Sequence, residues 1–114
     1  MNIDTRHIES VTIFAIDGSV DSLNAEQLSL AFNHPILEGR VQLVADFSKV
    51  SYTSSAGLRA LLGAVKDSRR LGGDLRIAAV QPSVNRVLLL SGFTSIIKIY
   101  PDCESAIASY AAAA

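Results

Sequence analysis

Cysteine, histidine and tryptophan are scarce in this chain. Its 114 residues contain one cysteine, Cys103, two histidines, His7 and His34, and no tryptophan. A single cysteine forms no internal disulfide, and the N-terminal MNIDTRHI has neither the basic nor the apolar segment of a secretory signal. Neither histidine has a cysteine or carboxylate at ligand spacing, so we expect no metal site. These absences predict a cytoplasmic protein that holds no metal or cofactor of its own.

Charge of one predominant sign and long hydrophobic runs are also missing. Lys and Arg number 10 and Asp and Glu 11, a formal charge of −1, so no net field favours nucleic acid or anionic lipid. Although 49% of the residues are hydrophobic, no apolar run approaches the roughly 20 residues that a membrane span requires. A chain of this length sustains one core, so we expect a single domain over residues 1–114 that binds a protein or a small molecule.

The first third of the chain predicts a hairpin followed by a helix and a buried strand. Two strand-like runs between Ile3 and Ile16 are separated by Glu9 and Ser10, which indicates an N-terminal hairpin. A helix is predicted within residues 18–32, ahead of Pro35, with a capping-box-like pair of Asn24 and Gln27. Residues 41–47 form a continuous apolar run, typical of a strand in the middle of a sheet.

Strand and helix patterns alternate in the remaining sequence. A second helix is expected to bury Leu58, Leu61, Leu62 and Val65, at i, i+3, i+4 and i+7, and to end at Gly72. DLRIAAV is the next strand, followed by a helix from Pro82 to Gly92, the strand IIKIY, a final helix capped by Asp102, and an alanine tail expected to fray. The order β-β-α-β-α-β-α-β-α predicts an α/β fold with a mixed sheet of four to five strands and about four helices, parallel after the hairpin.

The most informative stretch is VQLVADFSKVSYTSSAGLRALL, residues 41–62, where a strand runs into a Ser-Ser-Ala-Gly turn that opens a helix. The backbone N–H groups and the dipole at a helix N-terminus stabilise negative charge, so Ser55 is a candidate for phosphorylation. A plain N-cap turn explains the same serines equally well. If the second and third strands are neighbours, the loops 18–24 and 53–57 share one rim, which brings Asp21 close to Ser55.

Four segments resemble STAS domains of the anti-sigma factor antagonist type. They are DGSVDSLNAEQL, DFSKVSYTSSAGLRALL, RRLGGDLRIAAVQPSVNRVLLLSGF and IIKIYPDCESAI, and together they cover almost the whole chain. In that family the serine matching Ser55 is phosphorylated by a partner anti-sigma kinase, and the aspartate matching Asp21 lies at the kinase-binding surface. Many members have Asp before the phosphorylated serine, whereas this chain has Ser54, which leaves Ser54 as an alternative acceptor; Ala56 replaces the Ser or Thr that follows it.

The resemblance implies a partner-switching role. The unphosphorylated form binds an anti-sigma factor that is also a serine kinase and releases its target, phosphorylation of Ser55 abolishes binding, and a serine phosphatase resets the site. ATP then belongs to the kinase. The residues implied in partner binding are Asp21, Ser22, Asn24, Thr53, Ser54, Ser55, Ala56, Gly57 and Arg59. The alternative is a regulator of a partner-switching, stress-signalling or lipid-transport complex without a sigma factor.

An enzyme is the competing hypothesis: a small hydrolase with Ser55 as nucleophile and His7 or His34 as base. Such an α/β hydrolase would have Gly-x-Ser-x-Gly at the turn and a histidine late in the chain, and both are absent. A nucleotide-binding module would need a Gly-rich loop with Lys and Ser or Thr, which is also missing. The basic residues Arg59, Lys66, Arg69 and Arg70 are interrupted by Asp67 and predict a solvated helix face, and Cys103 is expected to be a core residue.

Overall fold

An N-terminal hairpin opens the fold, as the sequence predicted. In the computed structural model, which describes residues 1–112, β1 (Asn2–Ile8) pairs antiparallel with β2 (Val11–Asp17). Ile8 lies opposite Val11, so the turn has two residues, and its first residue, Glu9, has a positive φ of 54°. A positive φ at that position is what a tight turn with the right-handed twist of a hairpin requires.

The remaining strands are parallel and complete one sheet in the order β1-β2-β3-β4-β5. They are β3 (Gln42–Lys49), β4 (Asp74–Ala78) and β5 (Ile99–Tyr100). The helices are α1 (Ala25–Leu37), α2 (Ser55–Arg70), α3 (Pro82–Leu90) and α4 (Cys103–Ala112), with one 3₁₀ turn at Phe93–Ser95. The predicted α/β class, hairpin, mixed sheet and element order are confirmed.

Helices cover both faces of the sheet. The larger core lies between one face and α1, α2 and α3, and includes the edge-to-face pair of Phe14 and Phe32, whose ring centroids are 4.9 Å apart. The smaller core lies under α4 on the other face and contains Ile13, Val44 and Ala106. β3 is therefore covered on both faces, which explains the continuous apolar run in its sequence.

The last helix, α4, is fixed to the sheet by Tyr110 and capped by Asp102. The Tyr110 hydroxyl accepts a hydrogen bond from the Leu43 N–H at 3.2 Å and lies 2.7 Å from the Leu43 carbonyl and 2.8 Å from the Asp74 carbonyl. Burial raises the pKa of Tyr110, so the hydroxyl remains a donor. Asp102 accepts a hydrogen bond from the Ser105 N–H at 2.7 Å, which lowers the pKa of Asp102 and confirms the predicted cap.

Several local predictions differ from the structure, and the strand predicted over IIKIY is limited to Ile99–Tyr100. Asn24 makes no capping hydrogen bond, because its side chain bonds back to the preceding loop, so the capping box was wrong. α1 continues through Pro35 to Leu37; a proline this close to the helix end removes one hydrogen bond, and its buried ring offsets part of that loss. Leu62 is half-buried instead of buried. Of the alanine tail, residues 113 and 114 lie outside the described residues.

Candidate partner-binding rim

The two loops that carry the candidate residues are joined by hydrogen bonds beyond the ends of their strands. The Val20 N–H donates to the Tyr52 carbonyl at 2.9 Å, and the Ser54 N–H donates to the Val20 carbonyl at 2.8 Å. Val20 and Thr53 thereby form a parallel bridge that extends the β2–β3 pairing. We call residues 18–24 and 53–57 the rim. Its two loops share the carboxyl edge of the sheet, as the expected strand order required.

Close packing at the start of α2 holds the two loops against each other. Gly57 lies in the first turn of α2, and a Cβ atom there would stand 2.8 Å from Val20 Cγ1 and still closer to Thr53 Oγ1. Val20 is fully buried and Thr53 is only 3% exposed. The absence of a side chain at Gly57 therefore allows the two loops to pack together, because a Cβ atom there would push them apart.

Ser54 and Ser55 have different environments although they are adjacent. Ser54 is the N-cap of α2, with φ −88° and ψ 173°, and its Oγ accepts a hydrogen bond from the Gly57 N–H at 3.2 Å. Ser55 is the first residue of the helix and is exposed. The cap that the sequence could not assign to either serine belongs to Ser54, so the Ser55 side chain is not the one that caps the helix.

The N-terminus of α2 has no acidic residue in its first turn. The helix dipole and the amide N–H groups of that turn are therefore not compensated by a carboxylate from α2 itself. Ala56 is half-buried beside Ser55, and Arg59 is exposed one turn further along. Added negative charge at Ser55 would meet a favourable local field.

Asp21 and Asn24 organise the first loop through reciprocal hydrogen bonds. Asp21 Oδ1 accepts from the Leu23 N–H at 2.9 Å and the Asn24 N–H at 3.1 Å, and Asn24 Oδ1 accepts from the Asp21 N–H at 2.9 Å. Asn24 Nδ2 also donates to the Ser19 carbonyl at 2.9 Å. Asp21 thus shapes the loop, while Ser22 between them is exposed.

Sequence reasoning missed two exposed apolar side chains on and beside the rim. Leu23 is 93% exposed and Tyr52 is 52% exposed, and the Tyr52 carbonyl is the group that accepts from Val20. A protein partner bound at the rim would desolvate both side chains. A signal was present for Leu23, since it interrupts the polar run VDSLNAEQ, but a lone leucine is more often a core residue.

Neither histidine serves the candidate serine. His7 Nδ1 lies 2.9 Å from Thr12 Oγ1, and His34 Nδ1 lies 3.5 Å from a carboxylate oxygen of Glu38. Ser55 therefore has no histidine base among residues 1–112, which removes the geometric basis of the hydrolase hypothesis. Within the same residues no group of His, Cys, Asp and Glu has the arrangement of a metal site, and no helix is long and apolar enough to cross a membrane.

The lone thiol and the later basic residues of α2 are not among the rim residues 18–24 and 53–57. Cys103 is half-buried, and burial, together with Asp46, raises its pKa to about 11 in spite of Arg6, which leaves the thiol protonated at neutral pH. Lys66 is exposed, as expected of a solvated face, but Arg69 is not simply solvated. Arg69 bonds Asp74 at 2.8 Å and the Ile96 carbonyl at 2.7 Å, so it connects α2 to the sheet.

The fold and the rim together define a small α/β domain whose loops, at the carboxyl edge of a mixed sheet, present a serine at a helix N-terminus. The chain belongs to the STAS domain family, whose model matches residues 2–106. It is 34% identical over 110 residues to BtrV of Bordetella bronchiseptica, whose name assigns it provisionally as an anti-sigma factor antagonist; the match covers 96% of this chain and 95% of that one.

Solved structures share the same fold at low sequence identity. An anti-sigma factor antagonist from Mycobacterium paratuberculosis superposes with a TM-score of 0.86 at 22% identity, covering 95% of this chain and 92% of that one. SpoIIAA in its unphosphorylated form gives a TM-score of 0.85 at 18% identity, with 97% of each chain covered. SpoIIAA of Bacillus has also been solved in a phosphorylated form, with a TM-score of 0.75 at 18% identity over 96% of this chain and 99% of that one.

Proposed function

We propose that this protein is an anti-sigma factor antagonist whose binding is switched by phosphorylation of Ser55. Unphosphorylated, it binds an anti-sigma factor through the rim and draws that factor away from its target. The names of related proteins support the role, and the exposed Ser55 hydroxyl at the N-terminus of α2 supports the switch. The protein is then a ligand and a substrate in the cytoplasm, ATP belongs to a serine kinase partner, and a phosphatase restores the serine.

Ser55 is the better acceptor because Ser54 is already engaged. A kinase must reach the hydroxyl and align it with the γ-phosphate of ATP. Ser55 is exposed, whereas Ser54 is half-buried and would have to give up its hydrogen bond to the Gly57 N–H. The capping role of Ser54 also explains how this chain accommodates a serine where many related domains have aspartate, since both residues are good N-caps.

The switch acts through charge at the interface. Phosphate on Ser55 adds roughly −1.5 to −2 charges, which a partner surface formed around a neutral hydroxyl must desolvate or repel. Asp21, the acidic residue of the rim, lies in the loop bonded to the Ser55 turn, so phosphate on Ser55 would place a second negative group on the same surface. Exposed Leu23 and Tyr52 supply apolar surface through which the unmodified protein binds its partner.

The decisive experiment incubates two serine variants with ATP and with the anti-sigma factor kinase that co-purifies with the unmodified protein. Ser55→Ala should fold normally, incorporate no phosphate and remain bound to the partner. Ser54→Ala is the matched control: it should lose about 1 kcal/mol of stability with its cap but still be phosphorylated at position 55. Phosphopeptide mapping and an affinity measurement before and after ATP give the readouts. Phosphate retained in Ser55→Ala would disprove the assignment.

A phosphomimetic variant tests the charge mechanism. Ser55→Asp carries less charge and bulk than phosphate, so we expect it to weaken partner binding by about 1 to 3 kcal/mol, roughly 5- to 150-fold in Kd. Ser55→Asn is the neutral control and should bind more tightly than Ser55→Asp. Equal affinity of the two variants would mean that bulk, and not charge, separates the complex.

A further inference from the structure

The hairpin leaves one long strand edge unpaired. Among the described residues 1–112, β1 spans seven residues, pairs only with β2, and stands at the end of the sheet order. All of its residues are exposed except Ile3, which is half-buried. An edge strand of this length presents backbone N–H and C=O groups that another strand can pair with. Proline and lysine, which commonly protect such an edge, are absent from β1.

The hairpin register decides which backbone groups face outward. Ile8 and Val11 close a two-residue turn, so this pair exchanges both of its hydrogen bonds. Bonded and non-bonded pairs alternate along the ladder, so Arg6 and Asp4 also bond β2. The N–H and C=O groups of Ile3, Thr5 and His7 therefore point to the open edge.

Two opposite charges lie symmetrically about the centre of this edge. Asp4 and Arg6 flank Thr5, and because residues two apart on a strand share a face, their side chains lie on the same face of the sheet. Neither forms an ion pair within the described part of the chain, residues 1–112. Charges that serve only to repel other strands would be expected to have one sign. Asp4 and Arg6 have opposite signs, so each would face its opposite if the same strand lay antiparallel beside β1.

We propose that β1 pairs antiparallel with β1 of a second copy of this chain, with the two-fold axis at Thr5. Thr5 then faces Thr5 and Ile3 faces His7 of the second copy, giving about six backbone hydrogen bonds from the outward-facing groups. Asp4 faces Arg6 of the second copy, and Arg6 faces its Asp4, at non-bonded positions where opposing side chains are closest.

The neighbouring registers are disfavoured by the same two residues. The outward-facing backbone N–H and C=O groups of one strand must lie opposite the outward-facing groups of the other. The next registers that satisfy this condition have their two-fold axis at Asp4 or at Arg6. An axis at Asp4 places the two aspartates opposite each other, and an axis at Arg6 does the same with the arginines. Like charges directly opposite are destabilising, so the register centred on Thr5 is the one favoured.

This dimer continues the five-stranded sheet of one copy into that of the other. The two β1 strands run in opposite directions, so the carboxyl edge of one copy's sheet points away from the carboxyl edge of the other. Both rims therefore stay open. The pairing is therefore compatible with partner binding but does not depend on it. An interface of one strand per copy is small, so we expect a weak dimer that forms at high protein concentration.

Analytical ultracentrifugation of the full chain up to about 1 mM tests the pairing. Arg6→Glu places acidic groups opposite each other, Asp4→Arg places basic groups opposite each other, and each change should weaken the dimer about tenfold or more. Mixed in equal amounts, the two variants again present opposite charges at both positions, so a heterodimer should form with an affinity near that of the unmodified homodimer. The double exchange Asp4→Arg with Arg6→Asp should also dimerise.

A matched control separates this mechanism from a general effect of charge. Lys66→Glu makes the same change in net charge as Arg6→Glu on the exposed face of α2 and should leave dimerisation unchanged. Circular dichroism should show the same fold in every variant, since the altered side chains are exposed. A monomer at about 1 mM, dimers unaffected by the single reversals, or a mixture that stays monomeric would each overturn the proposal.

Discussion

Replacing Gly57 with alanine tests whether close packing holds the two rim loops together. The added methyl group would stand 2.8 Å from Val20 Cγ1 and closer still to Thr53 Oγ1. Both neighbours are buried, and both are β-branched residues with stiff side chains, so neither yields without moving its loop. Overpacking of this kind costs about 1 to 3 kcal/mol, and the confined site favours the upper part of that range.

The helix partly offsets this cost. Alanine is favoured over glycine within a helix by roughly 0.5 to 1 kcal/mol, which leaves Gly57→Ala about 2 kcal/mol less stable. Gly63→Ala is the matched control in the same helix, because Gly63 is exposed and a Cβ there meets nothing within 4 Å. It should stabilise the protein by about 0.5 to 1 kcal/mol, since it brings the helix gain without the clash.

Urea unfolding and calorimetry measure the two changes side by side. At about 4 °C per kcal/mol for a domain of this size, Gly57→Ala should lower Tm by about 8 °C, and Gly63→Ala should raise it by about 2 to 4 °C. Partner affinity should fall only in Gly57→Ala, where the rim loops separate. If Gly57→Ala proves as stable as Gly63→Ala, the packing of Val20 and Thr53 against this glycine does not hold the loops.

Ser55, Asp21 and Cys103 each allow a separate test. Phosphorylation of Ser55 should leave Tm level or raise it by about 1 to 4 °C in calorimetry, since the helix dipole favours the charge; a fall would indicate a rearranged fold. Asp21→Ala should lose about 1 kcal/mol in urea unfolding together with partner affinity, because Oδ1 accepts two backbone N–H groups, whereas Asp21→Asn keeps that acceptor and isolates the effect of charge. Because the pKa of Cys103 is raised to about 11, alkylation at pH 8 should be about a hundredfold slower than for a free thiol and should quicken as pH rises; a fast reaction would contradict that pKa.

Asp21 has a structural role in its loop that the sequence did not indicate. The family resemblance implied a contact residue, for which substitution would alter binding and leave stability unchanged. In the structure the Asp21 carboxylate holds the Leu23 and Asn24 N–H groups, so loss of binding by Asp21→Ala alone would not establish a direct contact. The exposed Leu23 side chain, held in place by this turn, is the sharper probe of contact, and Leu23→Ser should weaken binding with little loss of stability.

Local sequence patterns determined the secondary structure and its order. The apolar spacing of α2 and the stops at Gly72 and Gly92 depend on residues close together in the chain. The position of Ser55 at a strand-to-helix turn followed from the same patterns, and the sheet order then brought both loops to one edge. Boundaries that depend on small energy differences were missed, such as the continuation of α1 through Pro35.

Only the tertiary structure decided what each rim residue does. Periodicity records which side of an element is buried, but it does not record hydrogen bonds between loops some thirty residues apart, such as those that join Val20 to Tyr52 and Ser54. Those bonds fix the approach of Gly57 to Val20. The turn geometry makes Ser54 the cap and leaves Ser55 exposed. Two adjacent serines are equivalent in a sequence, and they become different because backbone direction at a helix start points one side chain at the helix N–H groups and the other at solvent.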